Sequence, residues 1–230
     1  MKRLAIITAR GGSKRIPKKN IKEFCGKPIL AYSIEAALAT GVFDTVMVST
    51  DSEEIAEVAK KYGAEIPFYR SPETSNDFAV TSQVIAEVLE EYGKLGKRYD
   101  QVCCIYPTAP FVTAVRLREA VELLTQREAD SVLPVVKFSF PPQRGVVEEG
   151  GYIKYIYPEH RNTRSQDLQP QYHDAGQFYC LNSDSFAAQK TLVMEKTVPL
   201  ILSELEVQDI DTIEDWEMAE IKYQRLHQSM

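Results

Sequence analysis

Residues 4–30, LAIITARGGSKRIPKKNIKEFCGKPIL, decide how the rest of the chain is read. The apolar run Leu4 to Ile7 is short and rich in isoleucine, which predicts a buried strand rather than a helix. It breaks at Arg10-Gly11-Gly12-Ser13-Lys14, which offers two residues that permit close ligand approach, a hydroxyl and two cations directly after a strand end. Arg15, Lys18 and Lys19 extend the positive charge, Pro17 stiffens the loop, Asn20 adds an amide, and Pro28 suits the first turn of a following helix. The spacing matches neither the P-loop nor the GxGxxG fingerprint. On these residues alone a phosphate site and an ordinary solvated turn both remain open.

Working outward, strand and helix alternate. Ile29, Ala31, Ile34, Ala37 and Leu38 give a helical stripe that ends near Gly41, and Asp44 to Ser49 reads as a second strand. Asp51 and Glu54 have the spacing of a capping box for a helix to Tyr62, closed by Gly63. Ala64 to Tyr69 reads as a third strand, Arg70 to Phe78 as a loop, and Val80 to Tyr92 as a helix. Gln101 to Tyr106 is a fourth strand, stopped by Pro107 and Pro110. A helix from Val115 to Leu124 and a strand from Ser131 to Val136 follow. The alternation predicts an α/β fold with a largely parallel sheet and helices on both faces. Ligands of such sheets lie beyond the carboxyl ends of the strands, so the Tyr106 turn and the Arg10 loop can face one crevice.

The rhythm changes between Phe138 and Gln177. Pro141-Pro142, a hairpin around Gly150-Gly151 and a polar loop from His160 to Gln171 read as an insertion serving as a lid or an oligomer contact. The chain is otherwise one domain, residues 1–230. Its core resumes with Phe178 to Leu181 and Thr197 to Leu202. A last helix is expected from Asp211, capped through Glu214, with Trp216, Ala219, Ile221 and Leu226 on its inner face.

Charge and composition narrow the function. Six Lys or Arg residues fall between Arg10 and Lys22 in a chain whose formal net charge is -6, so the basic charge is local. That favours a small polyanion over nucleic acid. With 44% hydrophobic and 26% charged residues the chain is of ordinary globular composition. The first apolar run is broken by Arg10, too early for a signal peptide or a membrane span, and the cytoplasm is the expected location. Cys25, Cys103, Cys104 and Cys180 show no CxxC spacing and read as reduced structural thiols rather than zinc ligands.

Two further constellations bear on chemistry. In Asp209-Ile210-Asp211 the alternate residues of an extended segment face one side, so both carboxylates can reach one divalent ion, and magnesium takes such a pair together with phosphate oxygens. Asp211 is equally explained as a helix cap. Between Arg70 and Thr81, a guanidinium and main-chain groups could read the edge of a pyrimidine. A polar loop with Asp77 capping the next helix explains the same residues.

The run RGGSKRIPKKN resembles the signature of the acylneuraminate cytidylyltransferase family, whose members activate nine-carbon acidic sugars. YPTAPF, YHDAGQFYC and QDIDTIEDW extend the resemblance from Leu4 to Trp216. It implies a Rossmann-like nucleotide-diphospho-sugar transferase fold with residues 138–177 as a dimerisation arm. It also implies transfer of CMP from CTP with release of pyrophosphate, and a requirement for Mg2+. Arg10 and Lys19 would then hold the triphosphate, with Gly11, Gly12, Ser13 and Lys14 around it, and Asn20 would touch the α-phosphate or the ribose. Arg70 and the Ala79 backbone, and less directly Thr81, would contact cytosine. Asp209 and Asp211 would bind the catalytic metal.

The acceptor side calls for arginine forks, amides and aromatic faces, which Gln143, Arg144, Arg161, Arg164, Asp174, Gln177 and Tyr179 supply. Tyr106 stands where sialic acid members carry a glutamine that meets the sugar, and Arg15 where they carry a glycine. With NTRSQDL and YHDAGQFY, the sequence resembles the branch that activates pseudaminic acid. The eight-carbon KDO branch fits poorly, because QVCCIYPTAPF lacks its aspartate metal ligand. N-acetylneuraminic or legionaminic acid is the alternative acceptor. A non-catalytic nucleotide binder is the alternative of another class, and the intact set Arg10, Lys19, Asp209 and Asp211 speaks against it. A homodimer without nucleic acid or membrane partners is expected.

Overall fold

The structure, a computed structural model, describes residues 1–227. Its elements in chain order are β1 (Arg3–Thr8), β2 (Glu23–Phe24), β3 (Lys27–Pro28), α1 (Ile29–Thr40), β4 (Thr45–Ser49), α2 (Glu53–Lys61), α3 (Pro72–Ser75), α4 (Thr81–Lys94), β5 (Gln101–Ile105), α5 (Ala114–Gln126), β6 (Ser131–Lys137), β7 (Val146–Glu149), β8 (Tyr152–Tyr155), β9 (Tyr172–Asp174), β10 (Phe178–Asn182), α6 (Ser183–Gln189), β11 (Thr197–Leu202) and α7 (Ile213–His227). The central sheet runs β11-β6-β10-β5-β1-β4, with β9 added to β6. β1 is parallel to β4 and β5, and β11 to β6, while β9 and β10 run antiparallel to their neighbours. This is the largely parallel mixed sheet of a Rossmann-like α/β fold, helices on both faces.

Alternation along β1 divides the interior in two. Ala5 and Ile7 pack with Leu30 and Ile34 of α1, Ile55 of α2 and Leu117 of α5. Leu4 and Ile6 turn the other way, onto Ile85, Val88 and Tyr92 of α4 and Phe186 of α6. A strand buried on both faces needs such an unbroken apolar run. A third cluster joins Ile16, Phe24, Ile29 and Tyr32 to Ile210, Trp216 and Ala219, tying the end of the Arg10 loop to the segment before α7. Phe24 meets Trp216 edge to face at 5.5 Å and Tyr32 at 5.6 Å. Burial contributes on the order of 1.5–3 kcal/mol for each large apolar side chain here, so the two segments are held together firmly.

Several local expectations change. Residues 64–69 form no strand: Glu65 makes one bridge to Met47, and Pro67 has no N–H to continue the ladder. α2 is capped by Ser52, whose hydroxyl accepts from the Ile55 N–H, and not by Asp51. α7 begins at Ile213; Thr212 and Asp215 form the capping pair in place of Asp211 and Glu214, because Asp215 accepts from the Asp211 and Thr212 N–H groups. Ile221 is 61% exposed and does not belong to the inner face. The Arg70–Phe78 loop contains the short helix α3, and the helix after it starts at Thr81 and runs through Gly93 to Lys94. Pro28 precedes α1 as its cap and closes a two-residue ribbon with Glu23 across the Cys25-Gly26 turn. The four cysteines are free, and the buried Cys103 and Cys180 face one another between β5 and β10. Among the described residues no helix is long and apolar enough to cross a membrane.

Candidate active site

β1, β4 and β5 end side by side, and the loops that leave them meet over the carboxyl edge of the sheet. A cleft of about 570 Å³ opens there, lined by Arg10, Ser13, Lys14, Arg15, Lys19, Asn20, Tyr106, Asp209 and Asp211 among others. The basic loop near the start and the acidic pair near the end of the chain therefore face one space.

The loop is braced from below. The Gly11 N–H donates to Asp51 Oδ1 at 2.8 Å, and the Ser13 N–H donates to the Gly11 carbonyl at 3.0 Å. A Cβ on Gly11 would lie 3.1 Å from Ser52 Cβ, a tight contact that favours glycine where the loop approaches the start of α2. Gly12 is open, with nothing within 4 Å of a Cβ placed there. Asn20 is buried and its amide donates to the Arg10 carbonyl at 2.8 Å, fixing the loop from inside. Lys18 turns out of the cleft to Glu54.

The acidic pair is presented by alternation. Ile210 is buried in the third cluster, which turns Asp209 and Asp211 into the cleft on either side of it. Because Thr212 and Asp215 cap α7, the Asp211 carboxylate is left to the cleft, where Arg15 Nη2 donates to it at 2.7 Å and Lys19 Nζ lies 3.6 Å away. Lys19 donates to the Ile210 carbonyl at 2.6 Å. Burial, and then the adjacent charge of Asp211, raise the Asp209 carboxyl above its ordinary value. A carboxylate that is hard to ionise beside another is a place where a cation is stabilised. Among the described residues no cluster of three or more His, Cys, Asp or Glu could hold a metal by itself. Two carboxylates opposite a cationic loop fit magnesium, which completes its shell with phosphate oxygens and water.

The other expected residues divide into near and far. Arg70 is buried, its guanidinium donating to Ser49 Oγ at 3.0 Å and to the Ser49 carbonyl at 2.7 Å, and it does not line the cleft. Burial lowers its pKa. Ala79 is half-buried on the same loop. Thr81 Oγ1 lies 3.2 Å from the hydroxyl of Tyr106, a residue that lines the cleft. The Tyr106 ring packs edge-on against Tyr179 at 5.6 Å, and Tyr179 donates to Asp174 Oδ2 at 2.5 Å. Asp174 and Asp209 share a second hollow of about 280 Å³ with His173 and Lys222. Gly176, at φ 63°, bends the chain between β9 and β10, and a Cβ placed on it would lie 3.8 Å from Asp209 Cγ.

Gln177 is buried and donates to the Glu206 carbonyl at 2.6 Å. Gln143 donates to the Gln169 carbonyl, Arg144 to Ser165, and Arg164 to Asp167, while Arg161 is exposed. These last four lie on the insertion and line neither hollow. Asp51 and Asp77 were readable in sequence only as helix caps. In the fold Asp51 holds the Gly11 N–H, and Asp77 accepts from Arg10 and Lys14.

Residues 4–212 match the family model described as cytidylyltransferase. The chain is 43% identical over 230 residues to a pseudaminic acid cytidylyltransferase of Campylobacter jejuni subsp. jejuni serotype O:2, covering 100% of this chain and 99% of that protein. It is 35% identical to a CMP-N,N'-diacetyllegionaminic acid synthase of Legionella pneumophila subsp. pneumophila, over 96% of this chain and 95% of the other. In fold it is similar to a solved CMP:2-keto-3-deoxy-manno-octonic acid synthetase complexed with CTP, with a TM-score of 0.70 at 16% identity, covering 98% of this chain and 100% of that one.

Proposed function

The chain belongs to the cytidylyltransferase family as an enzyme that transfers CMP from CTP to a nine-carbon acidic sugar, and we propose that this sugar is pseudaminic acid. The observation that carries the reading is the meeting of the Arg10 loop and the Asp209–Asp211 pair across one cleft. The 43% full-length identity to a pseudaminic acid enzyme, against 35% to a legionaminic acid enzyme, supports the choice of sugar.

In the proposed mechanism the anomeric oxygen of the sugar attacks the α-phosphorus in line, and negative charge grows on the departing pyrophosphate. Arg10 and Lys19 neutralise that charge from fixed positions, which is worth more than mobile counter-ions in water. The open Gly12 backbone and the Ser13 hydroxyl allow phosphate oxygens to approach the loop closely. Asp209 and Asp211 would hold a magnesium ion, which supplies positive charge to the α-phosphate when bound. Arg15 and Lys19, which contact Asp211, line the same cleft and would turn to those phosphates. Arg70, Ala79 and Thr81 form the base side in this reading, and Tyr106, Asp174 and Tyr179 the acceptor side.

The same reading makes residues 138–177 the contact between two copies and a lid arm. Phe140 is 87% exposed, Tyr152 77% and Ile153 72%, a density of apolar surface that a second copy would cover. Gln143, Arg144, Arg161 and Arg164 belong to that arm. In this reading the reaction takes place in the cytoplasm.

The sugar is tested by supplying CTP and magnesium with pseudaminic, legionaminic or N-acetylneuraminic acid and measuring pyrophosphate release. Stereochemical mismatches that leave buried polar groups unpaired cost heavily, so kcat/KM for pseudaminic acid is expected to exceed the others by roughly 10²-fold or more. Equal or better turnover of N-acetylneuraminic acid would refute the assignment.

A further inference from the structure

Residues 76–80 form the tip of the loop that leads from the buried Arg70 to α4, and little holds that tip in place. Phe78 is 92% exposed and Val80 55% exposed, so packing contributes little. The Asn76 amide donates to the Glu73 carbonyl, the Phe78 N–H to Asn76, and the Val80 N–H to Gln83, all within the loop and the first turn of α4. Asp77 ties the tip to another part of the molecule. Arg10 Nη1 donates to its Oδ1 at 2.6 Å, and Lys14 Nζ donates to its Oδ2. Asp77 itself lines the cleft.

We propose that Asp77 is a positioning residue of the nucleotide site, which docks the base-side loop on the phosphate loop and sets the spacing of Arg10 and Lys14. This rests on the reading above, in which residues 70–81 face the base. The chemistry permits the carboxylate to stay in place when nucleotide binds. A guanidinium has five N–H donors and an ammonium three, and Asp77 takes one from each, leaving the rest for phosphate oxygens. Two like charges side by side repel, and an anion between them offsets that repulsion. Hydrogen bonds from Lys14 and then Arg10 hold the Asp77 carboxyl below its usual range, so it is ionised at neutral pH. The three side chains are partly exposed, 36% for Arg10, 42% for Asp77 and 77% for Lys14, which makes the tie sensitive to salt.

Removing Asp77 acts in opposite directions on two ligands. CTP, which bridges both loops, loses the docking of its base side. Inorganic pyrophosphate touches only the phosphate loop and gains from the loss of a nearby negative charge. A side chain needed merely for folding would weaken both. The test is calorimetric titration of wild type, Asp77→Ala and Asp77→Asn with CTP and, separately, with inorganic pyrophosphate, in magnesium and at low and high salt. Asp77→Ala is expected to weaken CTP about fivefold while pyrophosphate binds equally or up to about threefold tighter. Asp77→Asn, which can still accept from one cation, should fall between the two proteins, and the differences should shrink at high salt. If both affinities move together, or CTP tightens, Asp77 is not a positioning residue. Wild-type protein that binds neither ligand would overturn the functional reading and this proposal with it.

Discussion

Asp211→Asn is expected to lower kcat for CMP transfer by roughly 10²–10³-fold, while CTP affinity falls by less than about tenfold. Its size follows from where the charge sits. The capping of α7 uses Thr212 and Asp215, with only the backbone N–H of Asp211 engaged, so an isosteric amide leaves the helix start intact. Arg10, Lys14 and Lys19 still offer the triphosphate its cations. What is lost is a charge opposite them, in the place where a cation would stabilise the reacting phosphate. Pyrophosphate release measures kcat, titration with CTP measures affinity, and an unchanged melting temperature excludes misfolding. Normal turnover by this variant would remove Asp211 from the proposed metal site.

Lys19→Ala is expected to reduce kcat/KM by a similar roughly 10²–10³-fold, about 2.7–4 kcal/mol of transition-state stabilisation. Among the loop's lysines it is distinguished by fixation. Its side chain is 19% exposed and held on the Ile210 carbonyl, whereas Lys14 is 77% exposed. A cation already oriented in a shielded place needs little rearrangement as charge develops, and a solvated one is screened. Lys14→Ala is the control and should cost about tenfold or less. Lys19→Arg should not restore activity, since a planar fork replaces a compact charge in a confined position. Comparable losses at Lys14 and Lys19 would show that loop charge alone matters.

What was legible in the chain was whatever depends on near neighbours. The isoleucine-rich run of β1, the alternation that faces Asp209 and Asp211 one way around buried Ile210, and the hairpin at Gly150-Gly151 are short-range patterns and carried through to the fold. Caps were less legible because Asp51 and Ser52, or Asp211 and Thr212, satisfy similar local spacings. The choice is made by partners far along the chain: Gly11 takes the Asp51 carboxylate, and Arg15 takes that of Asp211. Asp77 followed the same rule, read as a cap and found on Arg10 and Lys14. The antiparallel course of β10 is set by the bend at Gly176 and by pairing with β5 and β6, which no local pattern announces. The chemistry of an acidic acceptor suggested anion-binding work for Arg144, Arg161 and Arg164 on the insertion, and only the fold shows that they do not line the cleft of this chain.

In the proposed site one triphosphate is gripped from two sides, by the loop after β1 and by the aspartates before α7. Crystals of the protein with a non-hydrolysable CTP analogue and manganese, whose anomalous scattering locates the ion, test it in one experiment. A manganese ion is expected bonded to Asp209, Asp211 or both and to a phosphate oxygen of an analogue that also contacts Arg10 and Lys19. An ion bound away from both aspartates, or an analogue whose phosphates lie off the Arg10 loop, would contradict it.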